Sequence, residues 1–498
     1  MKNSKRFSSS AEKVIIIGSG IGGLSTAIIL AKLGFDVTVL ERNFQPGGLM
    51  RSYRRDGVEC SVGVHYLGSL DKGQILRTFF DYLGVTEAIP VTRMGRDGVV
   101  DRYLFNAPAT HPEKFDLPEG LDAYEENLKR TFFHDEEQIT RIMGPIRQAA
   151  AQLHGLDFLY GNDNAFSLLD QSQPLGEILD ELGCSPGLRS VLAIPASWIG
   201  VPLYDCPAYY HNMALASYVS SSWRLHCSGA DMADAFAMRL QELGGKITTG
   251  EEVSAIHAES RVVKGVQLKS GERLKADIVI GAVHPKVVLQ MLSRKDVKPS
   301  YRQRISGLKD THGIFSAHIL VDAEHHPEVP HNIFKIDTDG DGNVPDLKYY
   351  QIRKSGREGW NLLSILTSGK DELWAPWVNT LSGRRGPDYL DAKEKHTAGL
   401  ISEAEEVFGA FSDAKVIDAY TPLSMRDWVN SPGGSAYGVL RSSSQMLATA
   451  LLNRTAVKGL YLAGQNVLAP GIIGTIMGSF NTVKLLLGPG EFNKHIQL

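Results

Sequence analysis

The chain has 498 residues, 43% of them hydrophobic, enough to bury a large core, and its length suggests two or three domains or one interrupted domain. A formal net charge of -4 with both signs interspersed leaves no basic footprint for nucleic acid, and the four cysteines (Cys60, Cys184, Cys206, Cys227) are too scattered for a CxxC zinc site or a disulfide framework. The start, Met1 to Lys13, is polar and no uninterrupted apolar run reaches spanning length, so a reducing cytoplasm is expected, with peripheral membrane contact left open.

The first patterned stretch, Val14 to Arg42, reads VIIIGSGIGGLSTAIILAKLGFDVTVLER: a buried strand, a glycine turn, a helix, a second strand and an acid. That order describes a dinucleotide-binding βαβ unit. Gly18 permits the tight turn, Gly20 lets a pyrophosphate approach the backbone, Gly23 lets helix and strand pack closely, and Glu41 can accept hydrogen bonds from a ribose. Gly47 and Gly48 follow Pro46 and would allow a second close backbone approach to the cofactor. A short alternating stretch then leads to His65 and Tyr66.

From about Asp71 to Leu240 the pattern is mostly helical, clearest in Gln74–Leu83, Leu175–Leu182 and Asp231–Leu243. Within it, Arg189 to Arg224 has Asp205 as its sole charge between the two arginines and carries Trp198, Tyr204, Tyr209, Tyr210, Tyr218 and Trp223. That segment suits either core or the wall of a hydrophobic site, and Pro195, Pro202 and Pro207 oppose a continuous helix through it. After Gly244-Gly245 the period shortens to a meander, broken at Ser260-Arg261 and Ser270-Gly271 and closed by a buried strand at Asp277–Ala282. Alternating strands at Gly313–Val321, Lys348–Arg353 and Asn361–Leu366 predict an antiparallel sheet in a second domain. Between them Asp337 to Asn343 imitates a calcium loop, but its twelfth position is Lys348 rather than a glutamate, so a polar hairpin turn is expected and no metal site. A strand, glycine turn and helix, Gly459 to Gly488, close the pattern.

The expected class is therefore α/β with an α+β second domain. A Rossmann-like domain (12–70, 231–290, 443–490) is interrupted by a substrate domain whose first part (71–230) is largely helical and whose second (291–442) carries the antiparallel sheet.

Four stretches together, Val14–Arg42 with Pro46-Gly47-Gly48, SVGVHYLG at Ser61–Gly68, SPGGSAYG at Ser431–Gly438 and LYLAGQNVLAPGIIG at Leu460–Gly474, resemble flavin-dependent oxidoreductases of the phytoene desaturase, carotenoid isomerase and retinol saturase group. The VHYLG and GQN versions are most similar to the retinol saturase branch. The resemblance implies FAD in a domain of the glutathione-reductase type. Gly18, Gly20, Gly22 and Gly23 would meet the pyrophosphate, Glu41 the adenosine ribose and Val253 the adenine. Gly47 and Gly48 would lie along the cofactor, Gly464, Gln465 and Asn466 by the diphosphate and ribityl chain, and Ile21, Arg42, Leu49, Gly471, Ile472 and Ile473 are also carried over as contacts. A helix start near Gly471–Thr475 can stabilise negative charge on a reduced isoalloxazine. Many relatives carry an acid at Asn466, an arginine at Leu49 and an acid at Ser61.

Flavin carries the redox chemistry, so few acid or base residues are required. His65 is the expected proton donor for alkene reduction because histidine titrates near neutrality, with Tyr66 and Tyr437 assisting or lining the site. His284 reads as a strand-end residue and His211 as a weaker pocket candidate. No second GxGxxG follows a strand, so an external electron donor or acceptor is expected. The favoured reading is saturation of a carbon-carbon double bond in an apolar polyene or isoprenoid. Desaturation or isomerisation of the same class, a non-enzymatic prenyl-lipid escort protein and an amine or amino-acid oxidase are the alternatives.

Overall fold

The computed structural model describes residues 12–106, 112–161, 172–226 and 228–498. Strand Lys13–Ile17 lies at the centre of a five-stranded parallel sheet, between Asp36–Glu41 and Ile278–Gly281, with Lys246–Thr249 and Leu460–Leu462 at the edges. Its apolar run is continuous because both faces are covered. Val14 and Ile16 pack with the helices Ile21–Lys32, Gly229–Glu242 and Gly471–Leu487, whereas Ile15 and Ile17 pack with an antiparallel layer of Val253–Glu259, Val262–Leu268 and Arg273–Lys275. The meander read after Gly245 is thus divided. Its first and last strands hydrogen-bond into the parallel sheet, and only the middle three form a layer of their own.

A second sheet has seven strands, in the order Lys415–Tyr420, Ile314–Asp322, Trp360–Ser368, Asp346–Lys354, Asn332–Asp337, Asp101–Asn106, Lys114–Leu117. Its last two strands come from the stretch read as largely helical, and Asp101–Asn106 runs parallel to Asn332–Asp337, so the sheet is mixed rather than antiparallel throughout. Asp101–Asn106 does alternate between more and less buried residues, but six residues carry too short a period to stand out among longer helical patterns. The calcium-loop look-alike is the hairpin between Asn332–Asp337 and Asp346–Lys354, where the Asp339 carboxylate accepts from the Asp341 and Asn343 amides at 3.0 and 2.9 Å.

The aromatic segment forms two helices, Pro186–Ser197 and Ala208–Val219, followed by strand Ser222–Leu225. Among the described residues no single helix is long and apolar enough to cross a membrane. Cys60, Cys184 and Cys206 are free and buried, and Cys227 lies outside the described residues.

Both ends of the chain meet where helices Ile21–Lys32 and Gly471–Leu487 pack together. A Cβ on Gly22 would stand 2.3 Å from the Gly464 Cα, and the Ser479 hydroxyl donates to the Gly22 carbonyl at 2.9 Å. A Cβ on Gly20 meets nothing within 4 Å. Gly22→Ala is therefore expected to destabilise the fold by about 1–3 kcal/mol, and Gly20→Ala by less than about 0.5 kcal/mol, which denaturant unfolding of the two variants checks.

Candidate active site and cofactor cleft

A cavity of about 1200 Å³ runs along the C-terminal ends of the parallel strands, the usual ligand position in such sheets. Gly18, Gly20, Ile21, Gly22, Glu41, Arg42, Gly47, Gly48, Leu49, Val253, Gly464, Gln465, Asn466, Gly471, Ile472 and Ile473 all line it. Gly23 does not; it lies beneath the turn, where a Cβ would stand 2.0 Å from the Gly18 carbonyl oxygen. Gly18 has φ of 99°, a left-handed conformation that suits glycine, and its amide is held by the Leu40 carbonyl at 2.8 Å. Gly47 closes onto this turn through its amide, 3.0 Å from the Ser19 carbonyl.

Helices Ile21–Lys32 and Gly471–Leu487 both begin at the cavity wall without a side-chain cap or an acidic residue in the first turn. Their leading amides and dipoles are left for an anion. Glu41 is buried and anchored: Oε2 accepts from the Ser19 hydroxyl and amide at 2.6 and 3.1 Å, and Oε1 from the Asn43 amide and side chain at 2.8 Å. Glu41 thus shapes the loop that it shares with any ribose.

Asn466 is more committed than its place in the motif suggests. Its Oδ1 accepts the Val439 amide at 2.9 Å, its carbonyl accepts from Arg441, and a Cβ on Gly438 would stand 2.1 Å from Oδ1. Because an amide N–H must meet oxygen, this fixes the orientation and leaves Nδ2 as the group able to donate to a ligand. Ser61 accepts a longer bond from Arg353 at 3.3 Å. Arg51, two residues beyond Leu49, was missed by sequence reasoning. It lines the cavity, its guanidinium bonds among the described residues only to the carbonyls of Gly48 and Trp428 at 3.1 and 2.7 Å, and burial lowers its pKa. The signal was a cation shortly after a double glycine, displaced from the expected position.

Beyond the glycine-lined end, His65, Tyr66, Trp198, Tyr218, Tyr349 and Tyr437 line an aromatic chamber. His65 does not titrate near neutrality as expected. Burial, with His318, Arg353 and Arg224 adding positive charge nearby, pushes it down to about 3, so the imidazole is neutral at physiological pH and is not a loaded acid. Its Nε2 has no partner among the described residues. Burial raises the Tyr66 pKa well above 10 and that of Tyr437 to about 12, so both stay protonated, and neither hydroxyl has a hydrogen bond among the described residues.

Behind the chamber lies a second group that sequence reasoning missed. Asp101 is fully buried, accepts from the Tyr218 hydroxyl and the Asn332 amide at 2.8 Å each on Oδ1, and has no partner for Oδ2 among the described residues. Burial pushes its pKa up to about 7, with the hydrogen bonds from Tyr218 and Asn332 and the nearby Arg224 opposing that rise. His284 caps helix Pro285–Met291 through Nδ1 and contacts Asp310 through Nε2 at 3.0 Å, while His211 is buried outside the cavity lining.

Residues 21–479 match the family described as flavin containing amine oxidoreductase. The chain belongs to that family. It is an FAD-dependent oxidoreductase, and the uncapped helix starts, the open face of Gly20 and the guanidiniums of Arg42 and Arg51 suit a dinucleotide diphosphate. Among its relatives, all-trans-retinol 13,14-reductase of Macaca fascicularis is 24% identical over 94% of this chain and 84% of its own. A 4,4'-diaponeurosporene oxygenase of Staphylococcus aureus is 26% identical over 59% of this chain and 57% of its own. A solved oxidoreductase from Methanosarcina mazei shares the fold at a TM-score of 0.67 and 16% identity, over 95% of this chain and all of that one.

Two outcomes are expected. Arg51→Ala should weaken FAD binding about tenfold to a hundredfold, the loss of a charge-assisted hydrogen bond, while the apoprotein, which loses the bonds to Gly48 and Trp428, is destabilised by no more than about 2 kcal/mol; flavin fluorescence titration measures the first and thermal unfolding the second. Asp101 holds its proton up to about pH 7 in the folded protein, well above the ordinary aspartate range, so its contribution is fully present below about pH 4 and lost as pH rises towards 7. Asp101→Asn should flatten that fall, on the order of 4 kcal/mol, in denaturation midpoints across this window.

Proposed function

We propose that the protein saturates a carbon-carbon double bond of an apolar polyene or isoprenoid, with Tyr66 and Tyr437 rather than His65 as the proton-bearing groups. The carrying observation is the chamber, in which the Tyr66 and Tyr437 hydroxyls are protonated, without a hydrogen bond among the described residues and set in aromatic walls with no loaded histidine beside them. The retinol reductase and diaponeurosporene oxygenase relatives support the substrate class. An amine substrate is less suited. Asp346, a carboxylate in the cavity lining, is already paired with Lys348 at 3.4 Å and Lys370 at 3.6 Å, so it offers no free anion to an ammonium group.

FAD, when bound, supplies the hydride chemistry. In this reading the segments 12–70, 231–290 and 443–490 hold it, through Gly18–Gly22, Glu41, Arg42, Gly47–Leu49, Arg51, Val253, Gly464–Asn466 and Gly471–Ile473. The segments 71–230 and 291–442 hold the substrate. Trp198, Tyr218 and Tyr349 exclude water, and His65 contributes shape and a neutral ring. An external donor supplies electrons. Removal of hydrogen from the same substrate class is a second reading, because a flavin can take up a hydride as well as give one.

Stopped-flow mixing of anaerobically reduced protein with a retinoid and carotenoid panel tests the direction. Flavin reoxidation with a product richer by one hydrogen pair is the expected result. Bleaching of the oxidised flavin by the same panel would reverse it, and no turnover of any polyene would overturn the substrate class. Tyr66→Phe should lower the turnover rate by about a hundredfold or more with little change in KM.

A further inference from the structure

The chamber has a built backing. Asn332, the first residue of strand Asn332–Asp337, is fully buried and uses both ends of its amide. Nδ2 donates to Asp101 Oδ1 at 2.8 Å and to the Tyr218 hydroxyl at 3.1 Å, while Oδ1 accepts from the Tyr349 hydroxyl and from Arg224, each at 3.1 Å. The two tyrosines tied to this amide are the ones that touch Tyr66: the Tyr218 ring centroid lies 4.8 Å from that of Tyr66, and the Tyr349 centroid 6.1 Å. Tyr218 is braced from its other side by Trp198 at 5.1 Å.

We propose that Asp101 and Asn332 are a positioning pair, which holds Tyr218 and Tyr349 as a two-ring clamp on Tyr66 and, through the charge of Asp101, sets how readily Tyr66 gives its proton to the substrate. This rests on the reading of the chamber as an alkene-reducing site. There the π bond would break as one carbon takes up the hydride equivalent that bound reduced FAD would supply at the cost of its own oxidation. The other carbon forms its C–H bond with the Tyr66 hydroxyl proton, and the phenolate left behind is reprotonated from solvent when product leaves. Neutral Asp101 leaves the phenolate unopposed. Ionised Asp101 raises the cost of that phenolate, because the two negative charges face each other in a low-dielectric wall.

The groups facing Asp101 from neighbouring elements are Tyr218 from its helix, Arg224 from strand Ser222–Leu225, Asn332 from the adjacent strand, Tyr349 from strand Asp346–Lys354, and Tyr66 and Tyr103. Arg224 favours the carboxylate but is shared with the carbonyl of Val329 at 2.7 Å and with Asn332. With Asp101 titrating at about 7, proton donation is expected to slow as pH rises through neutrality.

The experiment uses the full chain with FAD bound and meta-fluorotyrosine placed at position 66. Its fluorine resonance is expected to move with a midpoint near pH 7 in the otherwise native protein and to be flat in Asp101→Asn. With all-trans-retinol as probe, the rate of flavin reoxidation should fall across the same pH range in the native protein, by about tenfold, and lose that inflection in Asp101→Asn. Asn332→Leu should lower kcat about tenfold at unchanged FAD affinity. A fluorine titration that persists in Asp101→Asn, or an unaltered pH profile in that variant, overturns the pair. Failure of the native protein to turn over retinol or any other polyene strikes the functional reading instead, and the fluorine titration still decides whether Asp101 governs Tyr66.

Discussion

The contact between Gly22 and Gly464 is the constraint on which the rest of the molecule depends. Two backbones separated by most of the chain approach so closely that no side chain fits between them, and Ser479 and Thr26 both donate to the Gly22 carbonyl there. The approach brings two uncapped helix starts to the same cleft. Their leading amide groups and dipoles both face that cleft, which therefore favours negatively charged groups. The strand order of the parallel sheet, with the last strand beside Ile278–Gly281, follows from the need to seat the C-terminal helix against the N-terminal one.

Burial then assigns the protonation states. In the aromatic chamber the same desolvation acts on every titratable group, but it acts with opposite sign on acids and bases. His65 loses its proton, Tyr66 and Tyr437 keep theirs, and Asp101 is drawn towards neutrality. Of the three groups that sequence chemistry nominates, the histidine is thereby left neutral, and the two tyrosines, expected to assist or line the site, keep their protons. Asn332 ties these choices together, because a single buried amide satisfies donors and acceptors from four other residues.

Much of the cofactor cleft was legible because it is written in local backbone requirements. Gly18, Gly47 and Gly464 sit at left-handed φ, and a glycine turn between a buried strand and a helix announces itself in a short window. The aromatic segment was visible as a stretch almost free of charge, although its residues divide: Trp198, Tyr209, Tyr210 and Tyr218 line the cavity, and Tyr204 is exposed and bonded to Arg189. Asp101 was not legible. It sits at the head of a strand too short to show a period, and its partners Tyr218 and Asn332 lie 117 and 231 residues away. Arg51 was hidden for a smaller reason, a displacement of two positions from Leu49, where the family resemblance led an arginine to be expected.

The sequence by itself determined the βαβ unit, the second glycine pair and the C-terminal strand, turn and helix that line one cleft, because glycine patterns and apolar periods act over a few residues. Only the tertiary structure decided which side chains of the chamber hold protons, that the second sheet is mixed, and that Asn466 is partly spent on Val439. Those outcomes depend on desolvation and on hydrogen bonds between residues far apart in the chain, and neither quantity has a local signature.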